Sequence, residues 1–277
     1  MAKKTTTQTI WGTLLLIIGA IIYGCLPNDK LYQGAPKSQS WNPYNWIHTL
    51  EMNGFVVGYS ELRGNPLWVE YALTKIDESV PSLPRPTRFE VDSRSFVGIA
   101  HDDYTKSGYD RGHNAPNYAI SHLYGVKGQK DSFLMTNISP QAPNLNRKFW
   151  QRLEEVEAKH FTQQADKIWV ITGPIFTGAS KKLSSSSKVE IPDAFYKIYI
   201  TEAKSNKPSK ALAFLVPQTV QGNEPLSQFV TSIDAIEEKA GFDFFPNLDP
   251  KIQTPLEASI APKEWNLDAV NKIPSRY

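Results

Sequence analysis

Cysteine is almost absent from this chain, and neither sign of charge is in large excess. Cys25 is the single cysteine among 277 residues, so an intramolecular disulfide is excluded. The 30 basic and 28 acidic residues leave a formal net charge of +2, which is too small to attract a polyanion through bulk electrostatics. Any nucleic-acid site must therefore be a local basic surface. The composition, 40% hydrophobic and 21% charged, is that of an ordinary globular protein.

Long apolar runs are also lacking, except near the N-terminus. Residues 10–26 contain no charged side chain, and they follow Lys3 and Lys4. A basic start before a short apolar run is typical of a secretory signal or a signal anchor, although this run is short for spanning a bilayer. We expect residues 1–34 to be a signal peptide or membrane anchor, and the protein to be exported or membrane-anchored on the periplasmic or extracellular side. A lipoprotein signal using Cys25 is the less favoured alternative.

The rest of the chain divides into a polar lead-in and one folded unit. Residues 35–53 are polar and contain Pro36 and Pro43, which predicts a linker. Residues 54–277 show no clear internal boundary and are expected to form one domain. Strand-like and helix-like stretches mix there without regular βαβ alternation, which favours an α+β fold.

Local patterns predict several elements of this domain. Residues 55–59 and 67–73 are rich in β-branched and aromatic side chains and predict a β-hairpin. Residues 147–160 predict a helix with apolar side chains at helical spacing. Further strands are predicted at residues 133–138, 168–174, 196–201 and 211–216, and a second helix at residues 226–239.

The densest group of reactive side chains is Asp110, Arg111 and His113, with Gly112 among them. The glycine permits a sharp turn or a close approach to a ligand. The histidine can exchange a proton near neutral pH, and the arginine can bind an anion with its planar guanidinium. Taken alone, the group is as consistent with an exposed charged loop as with a functional site.

The residues downstream favour a functional site. They are Asn137, Ile138, Ser139, Pro140 and Gln141, then Asn146, and then Trp150, Leu153 and Glu154. In this order and spacing, the series resembles the DNA/RNA non-specific endonuclease family, the endonuclease G-like nucleases of the ββα-metal type. Residues 169–174 and 192–197 are similar to later core strands of that family, so the resemblance covers residues 54–246.

This resemblance implies a fold and a set of roles. The fold is α+β, with a mixed, mainly antiparallel central sheet, flanking helices and a ββα-metal motif. By the resemblance, His113 is the general base and Asn146 is the single direct protein ligand of Mg²⁺, with Mn²⁺ as the alternative ion. Glu154 supports the waters of that ion.

The resemblance also assigns phosphate contacts. Arg111 and Arg88 are expected to contact phosphate oxygens, Arg88 on the basis of a short local match with Thr87. Asn137 is expected to shape the site beside the histidine. Family members often carry an arginine one helical turn after the glutamate, but this chain has Ala158 there, so one phosphate contact is in question.

The chemistry of these residues suits hydrolysis of a phosphodiester. A neutral histidine can deprotonate water, a metal ion can neutralise charge on the phosphate, and arginine matches phosphate geometry. Mg²⁺ keeps most of its waters and takes few protein ligands, which suits one asparagine carbonyl. We predict a metal-dependent, sugar-non-specific endonuclease that cuts DNA and RNA and, by the family's pattern, leaves 5′-phosphate ends.

Helix geometry limits how Asn146 and Glu154 can share an ion. Eight positions separate them, which in one α-helix gives about 12 Å of rise and about 80° of rotation. Either Asn146 lies at an irregular start of the helix, or Glu154 acts through water.

Two other functions fit the same residues. A catalytically idle, membrane-tethered nucleic-acid-binding protein could keep the fold, and Ala158 favours it slightly, whereas the intact motif argues against it. A phosphodiesterase acting on small substrates would need a closed pocket instead of an open basic groove. The predicted partners are DNA and RNA as substrates, the membrane through an uncleaved N-terminal segment, and a second copy of the chain in a homodimer.

Overall fold

A computed structural model describes residues 30–178, 181–203 and 208–276. The apolar run at residues 10–26 and Cys25 lie outside the described residues, as does most of the predicted signal or anchor. Within the described ranges, no helix is long and apolar enough to cross a membrane.

Strands and helices alternate irregularly along the described chain. The strands are β1 Lys37–Ser38, β2 His48–Glu51, β3 Phe55–Ser60, β4 Asn65–Leu73, β5 Asp110–His113, β6 Ile138–Gln141, β7 Ile168–Ile175, β8 Lys182–Leu183, β9 Ser186–Glu190, β10 Ala194–Thr201, β11 Ala211–Pro217, β12 Val230–Thr231 and β13 Phe242–Asp243. The helices are α1 Asn117–Ser132, α2 Gln151–Lys159, α3 Ile233–Ala240, α4 Pro250–Glu257 and α5 Leu267–Val270. A π-helical segment, Leu145–Trp150, leads directly into α2.

A seven-stranded sheet is the framework of the domain. Its order is β12-β11-β10-β7-β4-β3-β2, and each neighbouring pair is antiparallel. β7 is buried at all eight positions, since both of its faces are covered. A strand in this position carries a continuous run of buried side chains rather than an alternating pattern. The α+β prediction with a mainly antiparallel central sheet is therefore confirmed.

Two hydrophobic layers cover the two faces of the sheet. On one face, Phe149, Leu153 and Val156 from the π-helical segment and α2 pack on the sheet. On the other face, Ile236 from α3 and Leu256 from α4 pack against a separate apolar cluster. The candidate site residues all belong to elements on the first face or to the loops beside it.

The predicted hairpin and the helix after Asn146 match the structure, whereas two other local predictions were misplaced. The strand expected at residues 133–138 begins only at Ile138, after a helical turn at Met135–Asn137. It continues through Pro140, which is tolerated because β6 has a single partner, β5. The second helix starts at Ile233 rather than at residue 226, and it ends at Gly241, whose φ of 72° suits a glycine cap.

The prediction that residues 35–53 form a linker is wrong. β2 is the edge strand of the large sheet and pairs with β3, and β1 pairs with β13. Leu50 and Met52 are buried in the core. The segment looks like a linker in sequence because an edge strand exposes most of its side chains, so only a few positions are apolar.

The ββα motif is a small unit that lies on the first face. β5 and β6 form a two-stranded ribbon in which His113 is opposite Ile138 and Asp110 is opposite Gln141. A Cβ atom at Gly112 would collide with the side chain of Gln141, so the ribbon requires glycine at this position. The chain then enters the π-helical segment and α2.

Candidate active site

His113 occupies the last position of β5, with its ring held between two aromatic side chains. The ring centroids of Phe89 and Phe133 lie 5.2 Å and 5.0 Å from that of His113. The residue is only 8% exposed. Burial, and secondarily the charge of Arg85, lower the pKa of His113 to about 3, so the ring is neutral at neutral pH. Its Nε2 atom is buried and has no hydrogen-bond partner among the described residues.

Asn137 fixes the backbone next to His113. Its amide nitrogen donates to the carbonyls of Ala115 and Ser132, at 3.0 Å and 2.9 Å, and its amide oxygen accepts from the backbone N–H of Ala115 at 2.9 Å. The side chain is fully buried. These contacts position the chain after His113 and leave no side-chain atom of Asn137 directed at a substrate.

Asn146 is oriented by the first residue of the motif. Its amide nitrogen donates to Oδ2 of Asp110 at 3.0 Å. Because only the NH₂ group can donate, the carbonyl oxygen is the free end of the side chain, and no described residue donates to it. Arg147 holds the same carboxylate with bonds of 2.8 Å and 2.6 Å, so Asp110 is fixed from two sides.

The π-helical segment changes the relation between Asn146 and Glu154. A π turn closes through i→i+5 hydrogen bonds, so each residue rotates by less than the 100° or so of an α-helix. This reduces the rotation of about 80° that a continuous α-helix would put between the two side chains. The structure therefore has Asn146 in an irregular start of the helix, which is the first of the two geometries that the sequence left open.

Glu154 lies on the first turn of α2 and is partly buried. Burial raises its pKa to about 7, whereas the cations of Lys197, Arg85 and Arg276 act to lower it. No described residue donates a hydrogen bond to this carboxylate. It is therefore free to accept hydrogen bonds from ordered water.

Arg88 and Arg111 make their contacts with the loop around residues 101–105. Arg88 pairs with Asp102 at 2.9 Å, and both side chains are largely exposed. Arg111 donates from Nε and Nη2 to the carbonyl of His101, at 2.9 Å and 2.6 Å, and from Nη2 to Thr105. These contacts use part of each guanidinium to hold the loop. Neither guanidinium contacts His113 in the described structure.

Arg85 is the residue that the sequence analysis did not identify. Its guanidinium lies over the ring of Phe133, 5.1 Å from the centroid, and Phe133 packs on His113. The charge of Arg85 acts on the pKa of both His113 and Glu154. No local pattern separates Arg85 from Arg88, three positions later, because only the tertiary contact with Phe133 distinguishes them.

The residues of this site fit a hard divalent cation. The free carbonyl oxygen of Asn146 and the carboxylate of Glu154 are oxygen donors, and their small number suits an ion that keeps most of its waters. One grouping of three carboxylates within the described ranges could also hold an ion, at Asp234, Glu237 and Glu257. That grouping belongs to α3 and α4 on the opposite face of the sheet, away from His113.

Comparison with known proteins points in the same direction. A sequence model of the DNA/RNA non-specific endonuclease family matches residues 39–251. A nuclease from Nostoc sp. is 26% identical over 228 residues, covering 79% of this chain and 80% of its own length. Human mitochondrial endonuclease G is 32% identical over 155 residues, covering 53% of this chain and 51% of its own.

A solved structure shares the fold. A chain from the crystal structure of an EndoG/EndoGI complex aligns with a TM-score of 0.66 and 24% identity. The alignment covers 75% of this chain and 89% of that one. At this identity, the comparison shows that the architecture is common to both proteins.

Proposed function

Because the chain belongs to the DNA/RNA non-specific endonuclease family, we propose that it hydrolyses phosphodiester bonds in DNA and RNA with His113 as general base and Asn146 as the direct ligand of Mg²⁺ or Mn²⁺. The family is one of metal-dependent nucleases, and nuclease activity on nucleic acid follows from membership. The assignment of roles to individual residues is our proposal.

One observation carries this assignment. Asn146 is hydrogen-bonded to Asp110, which begins the strand that ends in His113, and Arg85 lies over Phe133, which packs on His113. His113 offers a buried nitrogen without a partner, and Asn146 offers a free carbonyl oxygen. These contacts support a site in which a general base, a cation site and a phosphate-binding group act together.

The protein's side chains act as follows in this proposal. Neutral His113 accepts a proton from the attacking water through its imidazole ring, while Phe89 and Phe133 hold the ring in place. Arg85 binds a non-bridging phosphate oxygen, where a guanidinium matches the geometry of the group. Asn146 and Glu154 would hold the ion, which when bound supplies charge neutralisation and a proton source for the leaving oxygen.

Three further properties follow as proposals. Contacts limited to phosphates and an ion carry no sequence information, so cleavage should show little sequence preference. The basic and apolar N-terminal sequence supports an exported or membrane-anchored protein, which would keep the host's own nucleic acid apart from the enzyme. Attachment to a membrane and formation of a homodimer remain predictions from the sequence.

The proposed roles can be tested with the full-length chain purified in detergent. Supercoiled plasmid and RNA would be incubated with Mg²⁺, with Mn²⁺ and with chelator, using wild type, His113→Ala and His160→Ala. His160 is an exposed histidine at the end of α2 and serves as the matched control. We expect metal-dependent cleavage by wild type and His160→Ala and loss of cleavage in His113→Ala. A folded protein that binds DNA but cleaves neither substrate would instead be the idle nucleic-acid-binding protein.

A further inference from the structure

The C-terminal part of the described chain returns to the helix that carries Glu154. Residues 262–276 lie beyond the family match, which ends at residue 251. Trp265 is fully buried against Phe161, with centroids 5.2 Å apart, and its carbonyl accepts from Gln164 at 2.6 Å. The carbonyl of Asn271 accepts from Arg152 of α2 at 3.4 Å. This segment therefore runs antiparallel to α2, from its C-terminal end toward its first turn.

The segment brings Arg276 onto the first turn of α2. The backbone N–H of Arg276 donates to Oε1 of Gln151 at 3.0 Å, and its Nε donates to Oε2 of Glu155 at 3.1 Å. Glu155 also binds Lys159 at 3.0 Å, so one carboxylate is shared between two cations. The Arg276 side chain is 51% exposed. One edge of its guanidinium is fixed, and the group keeps donors and net positive charge that face solvent.

The cationic side chains that act on Glu154 differ in whether they can contact a substrate. Lys197 is fully buried in an ion pair with Glu157, so it cannot contact a substrate. Arg85 and Arg276 are exposed, and both act on Glu154. Arg85 also acts on His113, whereas Arg276 does not contribute to the shift of that histidine. Arg276 is held on the first turn of α2 by Gln151 and Glu155, whereas Arg85 lies over Phe133.

We propose that Arg276 is a substrate-binding residue. It contacts a phosphate of the bound nucleic-acid strand that neighbours the phosphate being cleaved. This inference rests on the proposed function, because it needs a strand that passes over Glu154. Arg276 is bound to α2, whereas His113 ends β5, and in this proposal Arg276 holds the strand without assisting the chemical step. A segment outside the matched family residues thus contributes directly to the substrate groove.

The test compares Arg276→Ala with Lys272→Ala in the full-length chain. Lys272 is exposed on the same segment and makes no hydrogen bond or ion pair to α2 in the described structure, so both variants lose one positive charge. For Arg276→Ala we expect KM for plasmid to rise about fivefold, as for an exposed charge contact, with kcat within twofold. The slope of log affinity against log salt should become shallower by about one unit. Lys272→Ala should match wild type, and Arg276→Lys should recover most of the affinity.

A binding measurement separates this inference from the proposed function. Affinity for a fluorescent single-stranded oligonucleotide would be measured with Mg²⁺ in a His113→Ala background, where the strand stays intact. Weaker binding and a shallower salt slope for Arg276→Ala support the proposal even if wild type proves unable to cleave. Equal binding by the alanine variants of Arg276 and Lys272 would overturn it. A fall in kcat and in thermal stability with unchanged KM would also overturn it, because Arg276 would then only brace α2.

Discussion

The side-chain amide of Asn146 donates a 3.0 Å hydrogen bond to the carboxylate of Asp110. This contact joins β5 to the π-helical segment, so the strand that ends in His113 also orients the proposed metal ligand. Asp110 and His113, the first and last residues of β5, thereby belong to different parts of the proposed site. Asp110 orients Asn146, and His113 is the proposed proton acceptor.

Replacing Asp110 should lower the affinity for Mg²⁺ more than it lowers the stability of the folded protein. In Asp110→Ala, Asn146 and Arg147 lose their common partner and the carbonyl of Asn146 is no longer aimed. Loss of a group that orients a metal ligand typically costs about 10- to 100-fold in metal affinity or activity. Titration of plasmid cleavage with Mg²⁺ should show a half-maximal concentration raised by about that factor. Asp268→Ala, at an exposed position of α5, is the control, and an equal effect in both variants would contradict this role.

Arg85 and Arg88 form a matched pair for testing the phosphate contact. Arg85 lies beside His113 and Glu154, whereas Arg88 pairs with Asp102 at the surface. Arg85→Ala should lower kcat/KM by about 100-fold, as expected when one group that stabilises developing charge is removed. Arg88→Ala should remain within about threefold of wild type, because an exposed ion pair contributes little. The opposite ranking in a steady-state assay would return the role to Arg88.

The buried pair of Lys197 and Glu157 should dominate the stability of the core behind α2. Both side chains are fully buried, 2.9 Å apart, and Glu157 also accepts from Tyr71 and Tyr199 at 2.9 Å and 2.8 Å. Lys197→Met leaves an uncompensated buried carboxylate, which should lower the free energy of unfolding by about 3–5 kcal/mol. The surface pair of Lys159 and Glu155 provides the control, since Lys159→Met should cost less than about 1 kcal/mol. Similar losses for both in denaturant titrations would contradict the account.

Carboxylates on the opposite face of the sheet should make stability decrease as the pH rises from about 4.5 to 8. Burial raises the pKa of Glu237 to about 7 and of Glu257 to about 8, above the ordinary value for glutamate. The folded state therefore binds more protons than the unfolded state between about pH 4.5 and 8, so the free energy of unfolding falls as pH rises through this window. Glu257→Gln removes a charge that becomes unfavourable there.

This pH dependence can be checked by thermal melts. The gain in Tm of Glu257→Gln over wild type should be small at pH 5 and should grow toward pH 8.5. Glu264→Gln changes an exposed glutamate and should show no such trend. A gain that stays constant across this range would mean that the substitution acts through packing rather than through charge.

The signals from which the sequence predicts the proposed site are local. Asp110 to His113 are contiguous, and Asn146 and Glu154 lie on one helical stretch whose apolar spacing is visible. The hydrogen bond between Asn146 and Asp110 joins the two groups. Arg85 could not be chosen over Arg88, because an exposed arginine in a proline-rich stretch has the same local character at either position. Only the packing on Phe133 separates the two.

Other predictions differ from the structure where tertiary contacts, rather than local composition, determine the conformation. Residues 35–53 appear polar because β2 lies at a sheet edge, yet the buried Leu50 and Met52 anchor the segment. The wide turn at Leu145–Trp150 has no sequence pattern of its own, so the relation between Asn146 and Glu154 was left open. The approach of Arg276 to α2 depends on the burial of Trp265, more than ten residues earlier, and no spacing in the sequence reveals it.

The most direct test of the central claim is the single-turnover rate of plasmid cleavage as a function of Mg²⁺ concentration for wild type, His113→Ala and Asn146→Ala. The account predicts that His113→Ala lowers the rate at saturating metal by about 1,000-fold and leaves the half-saturating Mg²⁺ concentration unchanged. Asn146→Ala should instead raise that concentration. A His113→Ala rate within tenfold of wild type would show that another group accepts the proton, and would contradict the account.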